Sequence, residues 1–276
     1  MKNKPMGILL LLLLCNCVTL GAQIDSIPWT DSNISKLNQF DRAAVAAFLN
    51  RIGGSEGTPA ALKPADIGEF KWIDLAGDGR CELALTLSTG PNFASLGIIW
   101  QDPKGGFSSQ GIAGEGSLTR GIKDLDGDGK KEIIMGSYLD PSGISAGSPV
   151  SVWPQVYRLQ DEKYVPASKD FFEFYEREVL PHINAEMEKS RRTLPPASIE
   201  PGVGALEMER DKILRVLGID PQAGLEEARQ WARSDNPEMI YMASCVLHDI
   251  PGHEAEAHAA KQAWFQALRR QNANAR

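Results

Sequence analysis

The run Asp124-Leu125-Asp126-Gly127-Asp128-Gly129-Lys130-Lys131-Glu132 places carboxylates at alternate positions of a glycine-punctuated stretch and closes with one more. Side chains spaced this way can turn their oxygens onto one hard cation, and calcium takes about six to eight oxygens from carboxylates, backbone carbonyls and water. Asp124, Asp126 and Asp128 would give side-chain oxygens, Lys130 its carbonyl and Glu132 a closing carboxylate. Gly127 and Gly129 can take the positive φ that such a wrap requires. The chemistry expected is calcium binding in a structural role, since a cage filled by protein oxygens leaves little room for a substrate.

Upstream the frame recurs as Asp74-Leu75-Ala76-Gly77-Asp78-Gly79-Arg80-Cys81-Glu82, with Ala76 where the later loop has Asp126. Asp74, Asp78, Arg80 through its carbonyl, and Glu82 form a second, weaker candidate site. The competing reading is that Asp and Gly are simply good turn residues, with Lys130, Lys131 and Arg80 balancing the charge. An EF-hand is excluded: its twelfth position needs a bidentate Glu between two helices, and that position here is Met135 in a β-rich run.

The elements that must carry these loops change character along the chain. Asp41 to Ile52 spaces Val45, Phe48, Leu49 and Ile52 as one helical face, stopped by Gly53-Gly54 and suited to packing on the domain after it. From Phe70 to Val165, short Ile-, Val-, Trp- and Thr-rich runs separated by Gly, Asp and Pro predict antiparallel strands. These lie near 70–73, 82–87, 96–100, 107–112, 118–122, 132–138, 150–159 and 163–165, in two sets of four. In each set the acidic loop joins the first strand to the second, so the repeat is structural as well as sequential. Beyond Ser168, the residues Phe172, Tyr175, Val179, Ile183 and Met187 trace a helical face that Pro181 either kinks or restarts. Thr193 to Gly202, with Pro195, Pro196 and Pro201, reads as a linker. Helices are then expected near 205–217, 221–233, 237–249 and 253–270, two of them opened by Asp220-Pro221 and Asn236-Pro237.

Over Glu69 to Val165 the chain resembles the FG-GAP or VCBS-type repeats of integrin α-subunits and bacterial secreted proteins, on the Asp124 to Glu132 loop and the blade-ending turn Trp100-Gln101-Asp102-Pro103-Lys104-Gly105-Gly106-Phe107. The resemblance implies calcium loops joining the outer strands of propeller blades. The chain departs from it at Ala76, at Glu82 and Glu132 where Asp is commoner, and in showing two repeats where a propeller closes with at least four blades. The helices from Pro221 to Ile250 are weakly similar to a HEAT-type pair, with Leu225, Ala228 and Ala232 facing Ile240, Ala243, Leu247 and Ile250. The fold class expected is α+β: a β domain of two blade-like four-stranded units with an N-terminal helix, then a C-terminal helical region. The organisation reads as a signal peptide over 1–22, an N-terminal segment over 23–66, the calcium-loop β domain over 67–167, a helix and Pro-rich linker over 168–202, and a helical domain over 203–276.

Lys2, Lys4, the leucines from Leu9 to Leu14 and the exit at Gly21-Ala22-Gln23 have the parts of a secretory signal cleaved near Ala22. Lipidation at Cys15 or Cys17 is the lesser alternative, because Leu14 and Asn16 stand where small residues are preferred. A secreted or periplasmic protein without a membrane span is expected. The net charge is −7, and losing Lys2 and Lys4 would take it to −9, which argues against nucleic acid or an anionic membrane as the main partner. Cys81 and Cys245 would remain, and separate buried thiols are favoured over a bridge. His253 and His258 are five apart, which turns them to different sides of a helix and away from joint metal binding. Trp231, Trp264 and Phe265 alternate with alanines at helical spacing and read as core. There is no nucleophile elbow, phosphate loop or dinucleotide fingerprint. The function expected is a noncatalytic calcium-binding module whose helical part meets a protein partner. The rival is a periplasmic hydrolase of carbohydrate or phosphate ester working through loop carboxylates, and a third reading is a self-assembling envelope protein.

Overall fold

The Asp41 side chain accepts a hydrogen bond from Ala44 N at 2.8 Å, opening helix α1 (Arg42–Ile52) at the expected cap. The computed structural model describes residues 24–53, 61–90, 93–103, 105–113, 121–138 and 152–274; the signal peptide expected over 1–22 lies outside the described residues. Two open four-stranded sheets come next, ordered β1-β2-β3-β4 (Ile67–Ile73, Glu82–Gly90, Phe93–Gln101, Phe107–Ala113) and β5-β6-β7-β8 (Ile122–Lys123, Glu132–Tyr138, Val152–Gln160, Lys163–Pro166). The first is an antiparallel meander, with Lys71 opposite Ala84, Leu85 opposite Gly97 and Ile98 opposite Gln110. The two sets of four strands, each with its acidic loop between first and second, are therefore present, and the chain is α+β. Of the strand expected near 118–122, residues 118–120 lie outside the described residues, and β5 begins at Ile122.

The chain divides into two units, 1–134 with 158–165, and 135–157 with 166–276. In the first, α1 buries Val45, Phe48 and Leu49 in one cluster with Trp29, Trp72, Leu83, Leu85 and Ile99, so the N-terminal helix packs on the first sheet as its apolar stripe requires. Trp29 centres this core, its ring 5.6 Å from Phe48, 5.9 Å from Trp72 and 5.2 Å from Phe107. The backbone around it is tied to the end of the first acidic loop. Thr30 bridges Arg80, Cys81 N donates to Trp29 O at 3.0 Å, and Asp31 N donates to Gly79 O at 3.1 Å. Cys81 in this unit and Cys245 in the other are both buried, and neither forms a disulfide.

The second unit is helical beyond Ser168. A π turn at Tyr175–Val179 leads into α2 (Leu180–Thr193), with Pro181 in its first turn. The widened turn lets Leu180 N reach Tyr175 O, a register in which the missing N–H of Pro181 is tolerated. Two expectations are corrected here. The linker shrinks to Leu194-Pro195, because α3 spans Pro196–Val216. Pro196 in the first turn loses no bond, and Gly202 lies against Leu194, whose Cδ1 would stand 2.8 Å from any added Cβ. The helix expected from Pro221 begins instead at Leu225 (α4, Leu225–Trp231) because Gly224, at φ +80°, cannot sit inside an α-helix. Asp220 caps only a turn, accepting from Gln222 N at 3.0 Å.

α5 (Pro237–Asp249) starts where Asn236 accepts from Glu238 N at 2.9 Å, and every side chain from Met239 to Leu247 is buried. It packs against α3, α4 and α6 (Glu254–Asn274). No helix among the described residues is long and apolar enough to cross a membrane. On α3, burial pushes the Glu209 carboxyl up to about 7. A folded-state value above the unfolded one means that stability is greatest below about pH 4.5 and is lost as pH rises towards 7. Glu209→Gln, which cannot ionise, should therefore raise stability at pH 8 by about 1–3 kcal/mol and change little at pH 4. Urea melts at the two pH values would check this.

Candidate functional site

Each acidic loop is first of all a hydrogen-bonded turn. In the second, Asp124 Oδ1 accepts from Gly127 N at 2.7 Å and Oδ2 from Gly129 N at 3.1 Å. Asp128 Oδ1 accepts from Lys130 N at 2.8 Å, and Glu132 Oε2 from Leu125 N at 2.9 Å. The first loop repeats this pattern. Asp74 accepts from Gly77 N at 2.6 Å and Gly79 N at 2.9 Å, Asp78 from Arg80 N at 2.9 Å, and Glu82 from Leu75 N at 2.8 Å. First-position Asp and ninth-position Glu thus clamp both loops through backbone N–H groups, which explains the recurrence of the frame.

The loops differ where the sequence differs. Carboxylate oxygens of Asp124, Asp126 and Asp128 lie within 4.8 Å of one another, the one such group among the described residues. Glu132, only 1 % exposed, turns inward; its Oε1 is buried without a hydrogen-bond partner, 3.9 Å from Arg158 Nε. Lys130 enters through its N–H to Asp128. In the first loop no such group forms: Ala76 brings no oxygen, and Arg80 folds back on Asp78, with Nε at 2.9 Å and Nη2 at 2.6 Å. This pairing holds the Asp78 carboxyl below the usual carboxylate range. Burial, helped by the Asp74 and Asp78 charges, pushes Glu82 up to about 7, and burial also raises Glu132.

The two loops touch. Lys131 N donates to Leu75 O at 2.8 Å, and Gly77, at φ +70°, lies so close to Gly129 that an added Cβ would stand 2.5 Å from its carbonyl oxygen. Gly79, at φ +80°, has open space instead. Gly79→Ala should then cost only the strain of a left-handed residue, about 1–2 kcal/mol. Gly77→Ala meets the same strain and a backbone clash, and should cost at least about 2 kcal/mol more; paired denaturation curves would check the difference.

Three residues around the loops carry no local signal in the sequence. Arg158, on β7, donates through Nη2 to Asp126 Oδ2 at 2.7 Å. Tyr164 donates its hydroxyl to Lys131 O at 3.1 Å. Gln110 mimics a strand partner, donating to Tyr164 O at 2.7 Å and accepting from Tyr164 N at 2.8 Å. Beside the first loop the same unit opens a cleft of about 600 Å³, lined by Trp29, Cys81, Glu82, Trp100 and Tyr164 among others. Burial and the adjacent Asp31 push the Cys81 thiol up to about 12, which leaves it inert as a nucleophile. His253 pairs with Glu256 at 2.8 Å, and Trp231 and Trp264 are buried in the helical unit, whereas Phe265 is 42 % exposed. Comparisons with protein families, curated proteins and solved structures find no match to this chain.

Proposed function

We propose that this protein is a noncatalytic calcium-binding module, acting in the periplasm or outside the cell, in which one calcium at the Asp124 loop sets the β region. The observation that carries this is the convergence of Asp124, Asp126 and Asp128, absent from the first loop. The donor set fits the ion: hard oxygens, glycines at φ +78° and +87° that let the loop wrap, and Glu132 Oε1, buried with no hydrogen bond, close by. Calcium would supply charge neutralisation and cross-linking of the loop, with Asp124, Asp126 and Asp128 holding it. Repeats of the FG-GAP or VCBS kind, with blade-like sheets, accord with the paired loops and with two open sheets of four strands. The leader over 1–22 supports the compartment.

The helical unit is the part we assign to a protein partner, because it leaves Phe172, Ile219 and Phe265 exposed. The hydrolase alternative asks the loop carboxylates to face a substrate, whereas Asp74 and Asp124 commit both oxygens to their own loops. Isothermal titration should find one calcium site, retained in Asp78→Ala and lost in Asp128→Ala. Equal loss in both variants, or no heat of binding, would overturn the assignment.

A further inference from the structure

The cleft beside the first loop has a composition that selects a ligand class. Its volume of about 600 Å³ falls in the range of small-molecule sites. One wall is aromatic and aliphatic, from Trp29, Trp100, Ile98 and Leu75. The Trp29 part of it is rigid: Nε1 donates to Ile24 O at 3.3 Å, the backbone N donates to Gln101 Oε1 at 3.2 Å, and Phe48 and Trp72 pack on its ring. A preformed apolar wall spares a ligand the cost of ordering it.

The charges are one-sided. Asp25, Glu82, Asp102 and Glu162 line the cleft, against Arg80 as the cation among the described lining residues. Arg80 is already engaged by Asp78, two of its nitrogens standing on one carboxylate oxygen. Asp102 is engaged by Ser108 Oγ, 3.2 Å from both its oxygens, and Asp25 Oδ2 by Arg51 at 2.5 Å. Asp25 Oδ1 is buried without a hydrogen-bond partner. Glu82 gives one oxygen to Leu75 N and has no ion pair among the described residues. Among the described residues the cleft therefore carries an excess of negative charge beside the ring of Trp100.

A bare metal ion does not suit it. These carboxylates form no group whose oxygens approach within 4.8 Å, as the Asp124 loop does; they surround a volume and do not converge on a point. An organic cation suits both features, its charge among the carboxylates and its apolar body against the half-buried ring of Trp100. We propose that this cleft binds a small organic cation, a primary ammonium on an apolar body, with Glu82 facing the charge and Trp100 the body. The site is independent of calcium at the Asp124 loop.

The test uses the full chain at pH 8 in chelator, with phenethylamine as probe and 2-phenylethanol as its neutral counterpart, monitored by shifts of the Trp indole resonances. Saturable binding of the amine at least tenfold tighter than the alcohol is expected. Glu82→Gln keeps an acceptor for Leu75 N and should erase that preference, while Trp100→Ala, by removing apolar contact that both ligands share, should weaken amine and alcohol alike by about tenfold. Should Glu82→Gln fail to fold, Glu162→Gln, in the exposed β7–β8 turn, should still cut the preference by at least half. Equal affinity for amine and alcohol, binding of neither, or a preference unchanged in the carboxamide variants would overturn the proposal.

Discussion

Millimolar calcium should raise the melting temperature by about 5–10 °C, since a hundredfold excess over Kd contributes about 2.7 kcal/mol to a state that alone binds the ion. Asp126 decides whether the gain belongs to the second loop. Its Oδ1 takes a long hydrogen bond of 3.3 Å from Asp128 N, while Oδ2 is held by Arg158. Asp126 is therefore the loop carboxylate least committed to the turn itself. Asp126→Ala should abolish the calcium response while costing under about 1 kcal/mol in chelator, the worth of a half-exposed ion pair. An equal loss in calcium and in chelator would show a turn held only by its own hydrogen bonds. Arg158 sharpens the test, because its guanidinium is the countercharge for Asp126 and the buried Glu132. Arg158→Gln should destabilise in chelator by about 1–2 kcal/mol, and calcium, by supplying the missing charge, should remove most of that deficit. A deficit identical in both conditions would separate the metal from this loop. Magnesium should stabilise far less, since it keeps its water and demands a smaller shell.

The features legible in the sequence are local, and the hidden ones are distant. Alternation along Glu82 to Leu87 announces a strand, and the structure buries Leu83 and Leu85 in one core. Asn236-Pro237 announces a helix start and delivers one. Asp220-Pro221 carries the same signal and fails, because Gly224 needs a left-handed backbone three residues later and breaks the turn. The loops illustrate both sides. Their frame predicts a convergent Asp124, Asp126 and Asp128, and these do converge. The frame equally suggests Glu132 as a facing carboxylate, whereas the structure turns its Oε2 back to Leu125 N and sets its Oε1 near Arg158. Arg158 is 32 residues from Asp126, and Gln110 is 54 from Tyr164; no periodicity encodes such pairs, which exist only once strands have been brought side by side. Even Gly77, locally no different from the other loop glycines, owes its constraint to Gly129 in the partner loop.

In the helical unit the largest single-residue loss outside the apolar core should come from Arg215→Ala, about 2–4 kcal/mol. Arg215, 7 % exposed, donates from Nε and Nη2 to Asp249 Oδ2 at 3.1 and 2.9 Å, and from Nη1 to the Ala223 carbonyl. One side chain on α3 thus fastens the turn before α4 and the last residue of α5. The carboxylate of Asp249 sits at a helix C-terminus, where the dipole disfavours it, so it needs both Arg215 and Lys212, whose ammonium bonds Asp249 Oδ1 and lies 5.7 Å from the Trp153 ring. Truncating Arg215 leaves a partly buried carboxylate with one cation and a carbonyl with no donor, and each loss costs more than the intact pair contributes. Arg215→Lys should recover less than half, because a single ammonium cannot reproduce the fork that reaches Asp249 and Ala223 together. The double variant Arg215→Met/Asp249→Leu should recover most of the loss, since replacing both charges by apolar groups removes the desolvation cost along with the attraction. Guanidinium titrations of the four proteins would read these differences as midpoint shifts at constant slope. A loss below about 0.5 kcal/mol for Arg215→Ala would place the pair with ordinary surface ion pairs, and the helices would then be held by the buried Met239–Leu247 stretch alone.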